Sequence, residues 1–348
     1  MLNQKYLGGC LNTMFGWLYR LRNRSRFHVP TYPPDIFLEL TSACNLKCPM
    51  CPRTTMKRKP CHLPFELAEK LANELSLHHP GAPYLALHGF GEASLYPELG
   101  AVLSLFRRRL PLTSLTVSLN LSSAQPAQID TLFDHGISEI GVWVDSVRKE
   151  SYEAQRAGGN LDKTLSAIDY VIERKLRANS AYPLLHVGMI QTKLNEGQTE
   201  EFVAFWRERL RGVSGVSIRT AWGHNFNGRI EDTHLLRPRS PFYVKRPCFQ
   251  PFRMMLILSS GEICFCCLDA EGETTAGNLR EMTLYDAWHS ESAGKLRRET
   301  RKTAFRLALC KSCESAKFYP LDGRLKSAEY MTYEDSFLQS MRKGEGCG

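Results

Sequence analysis

The stretch TSACNLKCPMC, residues 41–51, directly follows an apolar segment at residues 36–40 whose composition predicts a β-strand. It holds Cys44, Cys48 and Cys51 in one loop, with three and then two residues between them. Thiolates are the soft ligands of iron–sulfur clusters, and a four-iron cluster ordinarily takes four of them. Three local thiolates leave one iron open to a non-protein ligand, which favours catalysis over electron storage. A zinc site is the alternative, although zinc more often uses paired C-x2-C units or histidines.

Outward from this loop, the chain alternates between strand and helix patterns up to about residue 222. The predicted strands cover residues 36–40, 84–88, 115–119, 139–144, 185–191 and 216–219. The predicted helices cover residues 64–77, 97–110, 126–135, 161–177 and 198–211. Such alternation predicts a parallel sheet with right-handed crossovers. Because six strands fall short of the eight in a full barrel, we expect an α/β fold with a partial (β/α)6 TIM-like barrel, and its chemistry at the C-terminal ends of the strands.

The place where the alternation stops predicts the domain organisation. We expect five units: an N-terminal extension (1–34), the barrel (35–225), an irregular linker (226–247), a small α+β domain (248–325), and a C-terminal helix and tail (326–348). Within the small domain, residues 254–258 and 262–265 flank Ser259-Ser260-Gly261, which predicts a hairpin. Helices are predicted over residues 283–288 and 325–341.

Bulk composition narrows the class of protein. The chain has 348 residues with 12 cysteines and a formal net charge of +9. No apolar run reaches the roughly 18 residues of a membrane-spanning helix. Many cysteines without a secretory signal favour metal or redox chemistry in the cytoplasm over a disulfide scaffold. The positive charge predicts solvated faces first, and an anionic substrate, nucleic acid or membrane surface as alternatives.

The pattern Cys44-x3-Cys48-x2-Cys51 after a first strand resembles the signature of radical S-adenosylmethionine (SAM) enzymes. The resemblance implies a [4Fe–4S] cluster whose open iron is chelated by the amino and carboxylate groups of SAM. Reduction of that cluster cleaves SAM to a 5′-deoxyadenosyl radical, which abstracts a hydrogen atom from the substrate. In this class the cofactor performs the difficult chemistry, and the protein orients it.

Two further stretches extend the resemblance to the predicted SAM site. Gly89, Gly91 and Glu92 follow the second strand and are similar to the family's Gly-Gly-Glu stretch, which holds the methionine amino group. Glycine lets backbone approach a ligand, and a carboxylate is a suitable acceptor for that group. Asn120 follows the third strand, where the family often has Thr-Asn-Gly.

The fourth predicted strand leads into Asp145 and then into YEAQRAG, residues 152–158, which resembles the family stretch Tyr-Glu-x-x-Arg-x-Gly. The resemblance implies Arg156 as the partner of the SAM carboxylate, for which a guanidinium fork is well suited. Asp145 is a further expected cofactor-site residue. Trp143 stands where many relatives carry a serine that touches the cofactor.

A second cysteine set lies in the C-terminal part of the chain. Cys248, Gly261-x4-Cys266 and Cys310-x2-Cys313 resemble the SPASM and shorter twitch modules, which bind auxiliary [4Fe–4S] clusters. A full SPASM module has seven cysteines, and those expected soon after Cys313 are absent, so we expect one auxiliary cluster. Its expected ligands are Cys248, Cys266, Cys310 and Cys313, with Cys267 as an alternative to Cys266. A four-cysteine zinc site is the competing interpretation.

The resemblance implies an enzyme that dehydrogenates a small polar substrate, such as a sugar or aminocyclitol, with help from the auxiliary cluster. It also implies an electron donor such as flavodoxin or ferredoxin. A maturase that modifies a ribosomal peptide is the first alternative. A zinc-dependent nucleic-acid-binding protein is the second, but scattered basic residues and an enzyme-like core argue against it, so no nucleic acid is expected. The general base is not identifiable, because each of His88, His186 and His224 is also explained by a structural role.

Overall fold

The computed structural model describes residues 27–79, 84–230, 235–236, 244–302, 305–314, 317–318 and 331–333. Six parallel strands lie side by side in chain order: β1 (Asp35–Leu38), β2 (Tyr84–Ala86), β3 (Ser114–Leu119), β4 (Glu139–Trp143), β5 (Leu184–Gln191) and β6 (Val216–Trp222). The connections carry α1 (Phe65–His78), α2 (Leu99–Arg109), α3 (Pro126–Asp134), α4 (Lys149–Gln155), α5 (Leu161–Ala178) and α6 (Thr199–Arg209). This arrangement confirms the predicted partial barrel. It also includes α4, a helix that overlaps residues 152–158, for which the sequence predicts only a cofactor motif.

Burial explains why these segments form strands and helices. In β5, five consecutive residues are buried, because helices cover one face of the strand and the barrel interior covers the other. In α5, Leu161, Ile168 and Val171 are buried on one face, and the Asn160 side chain accepts a hydrogen bond from the Lys163 amide at 3.0 Å. Among the helices of the described ranges, none is both long enough and apolar enough to cross a membrane.

The C-terminal part continues the same sheet. β8 (Met254–Ile257) pairs parallel with β1, and β9 (Glu262–Cys264) and β10 (Thr275–Asn278) follow antiparallel. The predicted hairpin is present, and Gly261 takes a positive φ of 100° at its turn. Next come α7 (Leu284–His289), α8 (Glu291–Arg301) and α9 (Ala308–Lys311), and a small separate pair joins β7 (Val244–Lys245) to β11 (Lys317–Phe318). Since β8 borders β1, the second cysteine set lies next to the strand that leads into the first.

The prediction of a helix in the C-terminal segment is wrong at its described residues. Met331–Tyr333 form a strand, β12, that pairs antiparallel with β6. Without this partner, β6 would be an edge strand with unpaired backbone groups. Threonine and tyrosine are also favourable residues for a strand. The rest of the predicted helix, and most of the predicted N-terminal extension, lie outside the described residues.

Candidate active site

The loop after β1 gathers three thiols. The amide of Leu46 donates to Cys44 Sγ at 3.5 Å, and the amide of Cys51 donates to the Cys48 carbonyl at 3.0 Å. Burial raises the pKa of Cys51 to about 11, and the nearby charges of Cys48 and Cys44 add to the shift. Burial likewise raises the pKa values of Cys44 and Cys48. Thiolates in such surroundings need positive charge to stabilise them, and a metal cluster supplies it.

The glycine-rich loop after β2 packs directly on this cysteine loop. A Cβ atom on Gly91 would lie 2.1 Å from the Thr41 carbonyl oxygen, so no other residue fits there. The Glu92 amide donates to the Ala43 carbonyl at 2.8 Å. The two loops are therefore joined backbone to backbone, and the side chain of Glu92 is placed beside the thiols.

Glu92 is a buried carboxylate. Its Oε1 accepts a hydrogen bond from the Ser94 hydroxyl at 2.8 Å, and its Oε2 accepts one from the backbone amide of Asn120 at 2.9 Å. Burial raises its pKa to about 7, although these hydrogen bonds oppose the shift. A carboxylate held in this way favours a ligand that brings N–H donors or positive charge.

Asn120 braces the cysteine loop. Its Nδ2 lies 3.1 Å from Asn45 Oδ1 and 3.8 Å from Cys44 Sγ, and its Oδ1 accepts from both the amide and the hydroxyl of Ser122. Most of its hydrogen-bonding capacity is therefore used within the protein.

Arg156 reaches the same place from the C-terminal end of α4. Its Nε lies 2.6 Å from Asp145 Oδ2, and its Nη1 lies 3.9 Å from Cys48 Sγ. Asp145 is completely buried, has a φ of 68°, and accepts the Ile190 amide at 2.7 Å through Oδ1. It lies behind Arg156 and is not one of the described residues that line the cavity. Asp145 is thus placed to orient the guanidinium of Arg156.

These side chains enclose one cavity of about 220 Å³ at the C-terminal ends of the strands. Its lining includes the predicted residues Cys44, Cys48, Cys51, Gly89, Gly91, Glu92, Asn120 and Arg156. Three thiols, a carboxylate and a guanidinium are a donor set that fits a cluster with a zwitterionic amino-acid ligand. In the described part of the chain, no group of three or more His, Cys, Asp or Glu side chains forms a site that could hold a single metal ion.

The second cysteine set also assembles. Burial raises the pKa of Cys310 to about 12, with the charges of Cys248 and Cys313 adding to it. The pKa of Cys248 is raised to about 11, again by burial first and with a contribution from Cys313. Cys266 is buried beside Cys267, Cys313 and Cys248, which raises its pKa. These thiols are far apart in the chain, but their charges act on one another, so they lie in the same part of the fold.

Cys266 and Cys267 both lie in this group but differ in surroundings. The Leu268 amide donates to Cys266 Sγ at 3.4 Å, the same contact that Leu46 makes with Cys44. Cys267 neighbours Cys248 and also lines the 220 Å³ cavity. Cys267 therefore stands between the two cysteine sets.

Two arginines that sequence reasoning missed support the site, Arg58 by linking it to the C-terminal part and Arg53 by holding the first cysteine loop. Arg58 Nη2 lies 2.6 Å from the buried Glu39 Oε2, and its Nε donates to the Ala270 carbonyl at 2.6 Å. Arg53 Nη2 donates to the carbonyls of Cys44 and Leu46 at 3.1 and 2.9 Å. A lone arginine carries no sequence signal for such roles, because its partners are identified only by the folded loops.

Comparisons with known proteins agree with this geometry. The family model of the radical SAM superfamily matches residues 38–205, and the model of the SPASM iron–sulfur cluster-binding domain matches residues 248–314. A search of the curated proteins found no match.

Solved structures of similar fold include those of BtrN, SuiB and anSMEcpe. BtrN in complex with AdoMet and 2-DOIA is 19% identical, with a TM-score of 0.55, and the match covers 80% of this chain and 92% of that one. SuiB of Streptococcus suis bound to precursor peptide SuiA is 15% identical, with a TM-score of 0.61 and coverage of 91% and 77%. Native anSMEcpe with bound AdoMet is 14% identical, with a TM-score of 0.57 and coverage of 80% and 89%.

At these identities the likeness concerns the fold alone. The family matches, the two assembled cysteine sets and the cavity together confirm the resemblance first noted in the sequence. The chain belongs to the radical SAM superfamily, as an enzyme that uses S-adenosylmethionine and [4Fe–4S] clusters and carries a C-terminal SPASM domain.

Proposed function

We propose that this enzyme dehydrogenates a small polar substrate, such as a sugar or aminocyclitol, and uses one auxiliary cluster as the electron acceptor. The observation that carries the proposal is the position of Cys267, which neighbours the auxiliary thiols and lines the cavity formed around Cys44. A substrate radical formed in that cavity would lie next to the auxiliary cluster that accepts its electron. BtrN, which was solved with AdoMet and the small molecule 2-DOIA, has the same fold.

When bound, SAM and the clusters would supply the 5′-deoxyadenosyl radical that takes one hydrogen atom and the acceptor for the substrate's remaining electron, while the second hydrogen leaves as a proton to a base. The protein's part is to bind and orient. Cys44, Cys48 and Cys51 would hold the catalytic cluster, and the loop of Gly89 and Gly91 would bring backbone close to SAM.

The two ends of the SAM amino-acid group have separate partners in this proposal. Glu92 would accept hydrogen bonds from the amino group, and Arg156, held in place by Asp145, would bind the carboxylate. Asn120 would act indirectly, by bracing the loop that carries Cys44.

The test combines cluster content with substrate choice. Anaerobically reconstituted protein should contain about eight irons per chain as two four-iron clusters. It should form 5′-deoxyadenosine only when a reductant is present. Monosaccharides and aminocyclitols should increase that rate and give products lighter by two hydrogens. Stimulation by peptides and not by these compounds would favour the maturase alternative, because SuiB and anSMEcpe were solved with peptides. Zinc instead of iron would contradict the proposal.

SAM binding should weaken at acidic pH. Burial raises the pKa of Glu92 to about 7, and its ionised form is the one that accepts hydrogen bonds from the amino group. Below pH 7 the carboxyl must lose a proton on binding, so the dissociation constant should rise by up to about tenfold per pH unit. Above pH 7 this contribution should be constant. Calorimetric titration of the cluster-loaded protein with SAM between pH 5.5 and 8.5 measures this dissociation constant.

Glu92→Gln is the control for that prediction. It should keep its iron and bind SAM at pH 8 at least about tenfold more weakly. Its SAM dissociation constant should no longer rise below pH 7 in the way that Glu92 causes. A variant that retains both the affinity and the slope would show that another group binds the amino end.

Iron analysis should distinguish Cys266 from Cys267 as the fourth auxiliary ligand. We expect Cys266→Ala to lose about four irons, because Cys266 shares with Cys44 the amide-to-sulfur contact from the residue two positions on. Cys267→Ala, its matched neighbour, should keep both clusters. The reverse result would assign the ligand to Cys267.

A further inference from the structure

A second cavity, of about 170 Å³, lies inside the barrel among strands β1 to β6. We call it the lumen pocket, and define it by Tyr84, His88, Thr116, Glu139, His186 and Arg219, which are among its lining residues. His88, Ser118 and Trp143 line both this pocket and the 220 Å³ cavity. The two spaces therefore share a wall, and a molecule in the lumen pocket would lie next to the SAM site.

The wall of the lumen pocket carries several polar side chains, which is unusual for the interior of a barrel. His186 Nε2 lies 2.9 Å from Glu139 Oε1 and 2.7 Å from Arg219 Nη2, and Arg219 Nη1 lies 3.3 Å from Glu139 Oε1. The Thr116 hydroxyl donates to the Tyr84 phenol oxygen at 3.0 Å. Polar groups in such a place cost stability unless they serve a bound molecule or a structural network.

Two of these groups are incompletely satisfied. Arg219 Nε and His88 Nδ1 are both buried and have no hydrogen-bond partner among the described residues. Buried polar atoms are normally paired, and an unpaired one indicates a water molecule or ligand that belongs there. Both side chains belong to the wall of the lumen pocket, so two unpaired polar atoms lie at that wall.

The charged groups in the pocket are paired with one another. Burial raises the pKa of Glu139, but the hydrogen bond and the charge of His186, together with the charge of Arg219, outweigh it and hold that pKa below its usual value. Glu139 is thus anionic and is paired with cationic Arg219. Burial lowers the pKa of His88 to about 4, so this imidazole is neutral at pH 7. A phosphate or carboxylate would find its cation already paired, whereas hydroxyl groups can donate to Glu139 and accept from Arg219.

The volume restricts the ligand further. An engineered apolar cavity of about 150 Å³ holds one benzene molecule. The lumen pocket, at about 170 Å³, is close to that size but polar. It fits a single six-membered ring with polar substituents and excludes a peptide side chain together with its backbone.

We propose that the lumen pocket binds a neutral, hydroxylated six-membered ring, either a cyclitol or a monosaccharide. Its hydroxyl groups hydrogen bond to Glu139, Arg219 and the Tyr84–Thr116 pair, and one ring edge faces the SAM site past His88. This inference rests on the proposed function and narrows its substrate class.

Binding to the cluster-loaded protein with SAM present tests the inference without a turnover assay. The probes are myo-inositol and D-glucose, with myo-inositol 1-phosphate and glucose 6-phosphate as charged counterparts. Isothermal titration calorimetry should show saturable binding of at least one neutral ring, and binding at least about tenfold weaker for its phosphate ester. Absence of binding by both neutral rings, or tighter binding of the esters, would overturn the inference.

Variants locate the binding site. Arg219→Met should weaken ring binding at least about tenfold, and the milder Tyr84→Phe by about three- to tenfold. Arg209→Met removes an arginine that pairs with Asp169 on the protein surface, and it should leave ring affinity unchanged. SAM affinity and 5′-deoxyadenosine formation should also persist in Arg209→Met. Unchanged ring affinity in Tyr84→Phe and Arg219→Met would show that the ring binds elsewhere.

Failure of this inference is distinguishable from failure of the proposed function. An enzyme that dehydrogenates an acyclic polar compound and binds neither ring would overturn the ring site and leave the proposed function intact. An enzyme that modifies only peptides would overturn both.

Discussion

Cys44→Ala is expected to abolish reductive cleavage of SAM and to lower the iron content from about eight to about four atoms per chain. The loop after β1 supplies three thiols to the catalytic cluster, so removal of one leaves two. The loop itself should survive, because its bonds from Glu92 and Arg53 reach backbone carbonyls of Ala43, Cys44 and Leu46. Formation of 5′-deoxyadenosine after addition of dithionite should fall at least about a thousandfold.

Cys61→Ala is the matched control for that experiment. The Cys61 thiol lies 3.3 Å from the Ser259 hydroxyl and does not line the 220 Å³ cavity. This variant should keep both its iron and its cleavage activity. Mössbauer spectra of the two variants would show which four-iron cluster is lost. Normal cleavage by Cys44→Ala would contradict the assignment of the first cysteine set as the catalytic cluster site.

Cys310→Ala is expected to separate SAM cleavage from substrate oxidation. The Cys310 thiol lies with Cys248 and Cys313 and is not among the described residues that line the cavity around Cys44. The rate of SAM cleavage should therefore stay within about threefold of the native rate, while the yield of oxidised substrate falls at least about a hundredfold. The ratio of product to 5′-deoxyadenosine measures this separation, and the iron content should fall to about four.

Cys264→Ala is the matched control in the same domain. Cys264 is fully buried in an apolar cluster with Met254, Leu256 and Leu258, apart from the ligand group. Its loss removes a small buried side chain, so we expect a modest loss of stability and normal iron, cleavage and product. Equal loss of cleavage and product in Cys310→Ala would instead assign the second cluster a structural role.

The local features of this protein were determined by its sequence. The spacing of Cys44, Cys48 and Cys51 makes three ligands available to one cluster because a loop this short cannot separate them. The regular alternation of strand and helix patterns predicts the parallel barrel, because each strand needs a crossover to return beside its neighbour. Glycine at position 91 follows from the close approach of two loops. Such features depend on residues close in the chain, and their periodicity and spacing are visible without the fold.

Tertiary structure decided what depends on contacts between distant segments. Asp145 is placed behind Arg156, Cys267 opens into the SAM-site cavity, and Met331–Tyr333 complete the edge of the sheet as a strand. Glu139, His186 and Arg219 come from three neighbouring strands and meet in the barrel interior. The pattern of a strand tells which side chains alternate, but which of them meet across a barrel is set by strand order, register and tilt. The sequence alone therefore determined the cofactor chemistry of this enzyme, and the polar pocket inside the barrel arose only when the sheet curved and brought those side chains together.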